Sequence, residues 1–258
     1  MKKHRKFEKV KLKKGIFILP NIFTSLNILC GFYAVIASIN GDFVSAAVSI
    51  LIAAVFDTMD GKVARATHTT SRFGVEYDSL ADVISFGMAP GITMYLWALQ
   101  SLGRIGWLAA FLFAICGALR LARFNTQVGS ISSEYFVGLP IPGGAGMAAI
   151  TILFFNRLGI EGRSFPMLIL IELYVLSFLM ISTIRYYSFK KPELFHRMKF
   201  NVLVTAVLIL IFVVSQPQIA LFVTILGYIL SGPFSNMKYR QSLKEQGLVN
   251  NEHNVTPV

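Results

Sequence analysis

The stretch from Asp57 to Asp82 reads D-T-M-D-G-K-V-A-R-A-T-H-T-T-S-R-F-G-V-E-Y-D-S-L-A-D and sets Asp57, Asp60, Asp78 and Asp82 at the edge of long apolar segments. Carboxylates beside hydrocarbon are costly unless paired or metal-bound, so their presence there points to a functional site. Asp57 and Asp60 are three residues apart and Asp78 and Asp82 four apart, so on helices each pair shares one face. Antiparallel neighbouring helices with facing pairs gather four carboxylates into one pocket. Mutual repulsion and lost hydration disfavour four bare charges there unless cations neutralise them. A divalent metal site resolves the conflict. Every donor is a hard oxygen, with no Cys and no well-placed His, which suits Mg²⁺, Mn²⁺ or Ca²⁺ and argues against Zn²⁺. Two ions sharing such a cluster brace the attacking and leaving oxygens in phosphoryl transfer.

The residues between the acids fit the same chemistry. Gly61 and Gly74 remove side chains where a substrate or a facing helix comes close. Arg65 follows Asp57 by eight residues on nearly the same helical face, and its guanidinium can hold a phosphate bidentately. Taken singly, Arg65 reads equally well as a salt-bridged helix end and the glycines as loop boundaries. As a set they read as a site.

The elements that must position this cluster are membrane helices. Of 258 residues, 55% are hydrophobic and only 14% charged, and the mean hydropathy is +0.63, outside the range of a soluble domain. Apolar runs long enough to span a bilayer occur at 16 to 39, 43 to 64, 74 to 99, 105 to 124, 141 to 158, 165 to 185, 200 to 215 and 218 to 234. They predict an all-α integral membrane protein, a single bundle of about eight transmembrane helices. The last two runs are short and joined by Ser215, Gln216, Pro217 and Gln218, as a tight hairpin or one long kinked element. A basic arm (1–15) precedes the transmembrane domain (16–235), and a polar tail (236–258) comes after it, expected to lack structure from about Tyr239. Along ideal helices Asp57 lies roughly 21 Å from Phe43, and Asp78 and Asp82 roughly 6 and 12 Å beyond Gly74, so both pairs are predicted at similar depth in the inner leaflet.

Orientation is set by basic residues in short loops and at helix ends. All 24 Lys and Arg except Arg104, Arg157 and Arg163 fall on one side, from Lys2, Lys3 and Arg5 in the arm to Lys238, Arg240 and Lys244 in the tail. Both termini and the acidic cluster are thereby predicted on the cytoplasmic face of the cytoplasmic (inner) membrane. The net charge of +11 is mostly a topology signal. Beside a span, the Lys-rich arm suits anionic lipid headgroups rather than nucleic acid, which such runs also bind. The first apolar stretch is too long for a signal-peptide core and lacks a small-x-small cleavage site before Asn40, so it is expected to be retained.

Other residues read more plainly. Cys30 and Cys116 lie inside predicted spans without partner spacing and behave as small apolar residues. Gly31, Gly117, Gly143, Gly144, Gly146 and Gly227 sit where small residues let helix backbones approach. Glu172 is an acid within the sixth span, to be paired with an Arg or Lys of a neighbouring helix or placed at a subunit contact. His68 reads as a solvated residue of the turn between the acid pairs, and Glu76 as a partner of the metal ligands or a helix N-terminal acid.

The pattern Asp57-x2-Asp60-Gly61-x2-Ala64-Arg65-x8-Gly74-x3-Asp78-x3-Asp82 resembles the signature of the CDP-alcohol phosphatidyltransferase family, complete at every fixed position. More narrowly, four segments resemble the membrane-integral phosphatidylserine synthases. They are Pro20-Asn21-x-Phe23-Thr24-x2-Asn27, Asp78-Ser79-Leu80-Ala81-Asp82-x3-Phe86-Gly87, Leu119-Arg120-Leu121-Ala122-Arg123-Phe124-Asn125 and Gly138-Leu139-Pro140-x-Pro142. The resemblance implies that CDP-diacylglycerol and L-serine give phosphatidylserine and CMP, with two divalent ions, Mg or Mn, and a homodimeric assembly. By carry-over Asp57 and Asp78 touch both metals, Asp60 the first and Asp82 the second. Asp82 also takes the proton from the serine hydroxyl. Gly61, Arg65, Gly74 and, by spacing, Ser71 contact the nucleotide diphosphate, with Asn21 and Thr24 on the cytidine side. The serine carboxylate needs a cation, and Arg120 and Arg123, three apart at the end of the fourth span, are the candidate clamp for serine or phosphate. Their plainer reading is a pair of anchors whose heads snorkel to lipid.

A divalent-cation transporter is the rival from another class, because acids in helices also line ion paths. Transport sites favour the bilayer midplane and two related halves, whereas these aspartates lie toward one face, occur once and include an arginine that repels a cation. Within the family, glycerol phosphate and inositol phosphate stay open as acceptors, although a second phosphate calls for more basic residues than Arg120 and Arg123.

Overall fold

The structure is a computed structural model and describes residues 2–67, 69–127, 135–187 and 215–245. Helix α1 (Lys2–Ile39) carries the basic arm and the first span without a break, and turns back through Asn40, Gly41 and Asp42 into α2 (Phe43–Ala66). Gly41 takes φ +80°, a left-handed conformation that favours glycine. Asp42 caps α2 by accepting the Ser45 N–H at 3.0 Å. After a short turn, α3 (Arg72–Asp82) runs on through a π-helical stretch (Val83–Met88), α4 (Ala89–Met94), a second π stretch (Tyr95–Leu99) and a 3₁₀ turn (Gln100–Leu102). The remaining helices are α5 (Arg104–Gln127), α6 (Ile141–Arg157), α7 (Pro166–Ile181) and α8 (Pro217–Glu245). The strands β1 (Tyr135–Val137) and β2 (Arg185–Tyr187) pair antiparallel with Phe136 opposite Tyr186.

The centre of the bundle is α6, in which Gly144 through Leu153 are all buried. A helix apolar all round belongs in a core, and α2 and α8 pack against it while α5 packs on α7. Large apolar side chains point outward instead, among them Phe32, Phe111 and Phe178. Leu19–Ile39, Phe43–Ala66 and Arg104–Thr126 are long and apolar enough to cross a membrane, and Pro166–Ile181 and Pro217–Gly232 are shorter apolar helices. The chain is a multi-pass helical membrane protein. The predicted spans up to residue 158 and the one from 218 to 234 fall on helical segments, while the one from 165 to 185 is helical only to Ile181 and ends in β2; the run from 200 to 214 lies outside the described residues.

Glycine sets the closest helix crossings. A Cβ on Gly31 would stand 2.7 Å from Ser85 Cα, so α1 touches the π stretch backbone to backbone. There the Ser85 hydroxyl donates to the Asn27 carbonyl at 2.9 Å. Gly91 abuts the Ala110 carbonyl in the same way, at 2.9 Å. Gly227, expected at such a crossing, meets nothing within 4 Å. The tail expected to lack structure from about Tyr239 is helical to Glu245, because Lys, Arg, Gln, Leu and Glu there are strong helix formers uninterrupted by Gly or Pro.

Candidate functional site

The acids gather where α2 ends and α3 begins. Ser71 starts α3 by accepting the Gly74 N–H on its Oγ at 3.0 Å, which fixes the angle at which α3 leaves the turn. One carboxylate oxygen each from Asp57, Asp60 and Asp78 lies within 4.8 Å of the others. Asp82 completes the ring from the other side, its carboxylate within hydrogen-bonding reach of Asp57, as Asp78 is of Asp60. From α1 the Thr24 hydroxyl donates to Asp60 Oδ2 at 2.9 Å, sharing its proton with the Pro20 carbonyl at 3.2 Å.

Two features mark this ring as built for a cation. Asp60 and Asp82 are buried, and the Oδ1 atoms of Asp78 and Asp82 are buried with no hydrogen-bond partner. Among the described residues no Lys or Arg forms an ion pair with any of the four. A buried unsatisfied polar atom costs about 1–3 kcal/mol, more for a charged group, and folded proteins keep few of them. The donor set is oxygen throughout, so the residues present fit a hard divalent ion.

Beside the ring lies a cavity of about 180 Å³ whose walls include Asn21, Thr24, Gly61, Arg65, Ser71 and Gly74, every residue predicted to contact the nucleotide, together with Asp60 and Asp78. A Cβ on Gly74 would stand 3.2 Å from Ser71 Oγ and 3.5 Å from Asn21 Oδ1, so glycine there keeps the mouth open between the turn and α1. The Arg65 guanidinium lies over Gly61, 3.4 Å from where a Cβ would be, and is exposed at the rim. Ser71 stands in two places at once: its oxygen caps α3, and its side chain forms part of the cavity wall.

The two arginines of α5 part company. Arg123 donates to the carbonyls of Ile181 at 2.9 Å, Ser182 at 3.3 Å and Met180 at 3.4 Å, satisfying the end of α7. Gly138, at φ +78°, packs its bare Cα against the Met180 carbonyl beside that guanidinium. Arg123 is thus a helix terminator, which local spacing concealed because its acceptors lie 57 to 59 residues away. Arg120 is buried, sits 5.6 Å from the Phe124 ring centroid, and faces Asp82 and Tyr228 electrostatically. Its Nε has no hydrogen-bond partner.

The remaining acids fall away from the ring. Of the two placements expected for Glu172, an Arg or Lys partner and a subunit contact, the first is not found among the described residues; Glu172 accepts a 2.7 Å hydrogen bond from the Thr151 hydroxyl of α6. A hydroxyl from the central helix meets it because α6 offers no base at that depth. Glu76 is exposed on the first turns of α3, and His68 lies outside the described residues. One residue was given no role from sequence. Asn27 is fully buried, and both its Oδ1 and Nδ2 lack partners. The available signal was its place one turn after Thr24, on the stripe of α1 that faces the acids.

Known proteins resemble the chain over most of its length. The model of the CDP-alcohol phosphatidyltransferase family matches residues 17–182. A Helicobacter pylori protein named CDP-diacylglycerol–serine O-phosphatidyltransferase is 38% identical over 217 residues, 84% of this chain and 90% of its own. A Bacillus subtilis protein of the same name is 36% identical over 67% of this chain and 92% of its own. An archaetidylserine synthase from Methanothermobacter thermautotrophicus is 40% identical over 65% of this chain and 69% of its own. The chain belongs to the CDP-alcohol phosphatidyltransferase family.

Proposed function

We propose, taking that family membership as premise, that the chain transfers the phosphatidyl group of CDP-diacylglycerol to the hydroxyl of L-serine, giving phosphatidylserine and CMP. Both kinds of relative carry serine in their names while the lipid differs, which supports serine over a polyol phosphate. The observation that carries the reading is the adjacency of the cavity lined by Asn21, Arg65 and Gly74 to the clustered carboxylates of Asp57, Asp60 and Asp78, with Asp82 against Asp57. A diphosphate lying in that cavity brings its phosphorus to the acids.

Asp57, Asp60, Asp78 and Asp82 would hold two divalent ions, Mg or Mn with Ca also admissible, and the ions when bound neutralise the diphosphate and the departing CMP. Asn21 and Thr24 take the cytidine side, while Gly61, Gly74, Ser71 and the Arg65 fork receive phosphate oxygens. Asp82 accepts the proton of the serine hydroxyl. The serine oxygen bonds to the phosphorus that carries diacylglycerol, and the bond from that phosphorus to CMP breaks. Arg120 receives the serine carboxylate, and Arg123 holds the end of α7 in place behind it.

Residues 1–15 form a basic arm, 16–235 the transmembrane domain with about eight helices, and 236–258 the tail. The distribution of Lys and Arg supports cytoplasmic termini, with the active site facing the cytoplasm from the inner membrane. Assembly is as a homodimer. The decisive experiment incubates purified protein with CDP-diacylglycerol, serine and Mn²⁺ or Mg²⁺. Serine-dependent CMP release is expected, whereas metal flux into liposomes without CMP would replace the enzyme by a transporter.

A further inference from the structure

Besides Asp78 Oδ1, three buried groups at or near the ring are unsatisfied: the Asn27 amide, Asp82 Oδ1 and Arg120 Nε. They come from α1, α3 and α5, elements far apart in sequence, and nothing in the nucleotide cavity uses Asn27 or Arg120. Asn27 is held on both sides. One turn before it, Thr24 is bonded to Asp60; one turn after it, Gly31 rests on Ser85, whose hydroxyl also grips the Asn27 carbonyl. Ser85 comes three residues after Asp82, so its bond to the Asn27 carbonyl sets the Asn27 backbone within one turn of Asp82 along α3.

We propose that Asn27 reads the zwitterionic end of the acceptor, an amino acid bearing a hydroxyl, in a subsite completed by Asp82 and Arg120. The inference rests on the acceptor reading of the preceding subsection. The chemistry is complementary group by group. A primary amide offers an acceptor and a donor side by side, so Oδ1 takes an ammonium hydrogen while Nδ2 donates to the carboxylate. Arg120 holds that carboxylate through its guanidinium, and Asp82 is left for the hydroxyl proton. A polyol phosphate has no ammonium for Oδ1 and leaves it unpaired, which is how a polar site rejects a near neighbour. The plainer alternative, a structural asparagine, fails on energetics, because an amide with no partner destabilises the core that holds it. Unsatisfied buried groups of this kind are retained where function needs them.

The test measures CMP release at varied serine and varied CDP-diacylglycerol in the full-length protein, with the thermal midpoint recorded for each variant. For Asn27→Ala, serine KM is expected to rise at least about tenfold with CDP-diacylglycerol KM nearly unchanged, and the thermal midpoint to hold or increase. The near-isosteric Asn27→Asp guards against misfolding; it removes the donor to the carboxylate and should shift selectivity from serine toward ethanolamine, which lacks that group. A folded variant with unaltered serine KM and selectivity, or with both KM values rising together, overturns the subsite. Absence of serine-dependent CMP release in the unsubstituted chain overturns the parent reading and this one with it.

Discussion

The bundle carries a charged cavity at each end, and the two differ in kind. The one at the α1–α2 turn is the larger, about 380 Å³, and is lined by Asp42, Asn156, Glu161 and Arg163 among others. Its polar groups are engaged or solvated: Asp42 caps α2, Arg163 leans on Gln100 Oε1 at 3.5 Å, and none of its lining residues holds a buried polar atom without a partner. The cavity at the α2–α3 turn is about 180 Å³, yet the ring beside it keeps carboxylate oxygens buried and unpaired. Size and charge therefore do not single out the chemical end. A cluster of unsatisfied polar atoms does, on Asn27, Asp78, Asp82 and Arg120 against the lone Gln218 Oε1 at the start of α8, because a ligand repays the cost of burying them.

Substitutions can break or sharpen this contrast, beginning with the ring. Asp78→Asn should lower CMP release by at least about a thousandfold, and a chelator should do the same to the unsubstituted chain. Because the change also relieves repulsion, the thermal midpoint without metal should hold or rise; a marked fall would make the ring a structural feature. Asp82→Asn should cost turnover about a hundred- to ten-thousandfold, the scale of general base catalysis, while much of the CDP-lipid binding survives. Retained activity removes Asp82 as the base.

Smaller effects separate the two arginines. Arg120→Lys keeps the charge but loses the fork, and should raise serine KM about tenfold with little change in thermal midpoint. Arg123→Ala should instead lower stability by about 1–3 kcal/mol, read as a lower thermal midpoint with serine KM in the remaining folded protein nearly unchanged. Exchange of those outcomes would reverse the assignment. At the opposite cavity, Glu161→Gln should leave turnover within about twofold, as surface changes away from special features do. A larger loss there would end the contrast between the ends.

The acids were legible in sequence because helix periodicity and a fixed spacing act over one or two turns, and Asp57 to Asp82 spans just two helix ends and a turn. Among the residues that line the neighbouring cavity, Gly61, Gly74 and Arg65 were legible for the same reason, whereas Asn21, Thr24 and Ser71 entered only through resemblance. Arg120 and Arg123 lie one turn apart on the same span, and the carbonyls of α7 tell them apart. Ser71 showed as a phosphate contact but not as a cap, although Ser before an apolar run is a start signal. Glu172 found a hydroxyl from α6, a tertiary choice no spacing rule reaches. The extent of α8 was missed because polarity was taken for lack of structure, when residue-level helix preference favoured the opposite.

The widened winding at Val83–Met88 starts directly after Asp82. A π turn holds one residue more than an α turn, equivalent to an insertion absorbed inside a helix. Winding the same residues as regular α-helix would instead rotate α3 by about 100° relative to α4. Asp78 and Asp82 would swing away from α2 while α4 kept its seat against α5. The single surplus residue therefore acts as a gear between two demands, letting one continuous helix present acids to one neighbour and glycines to another.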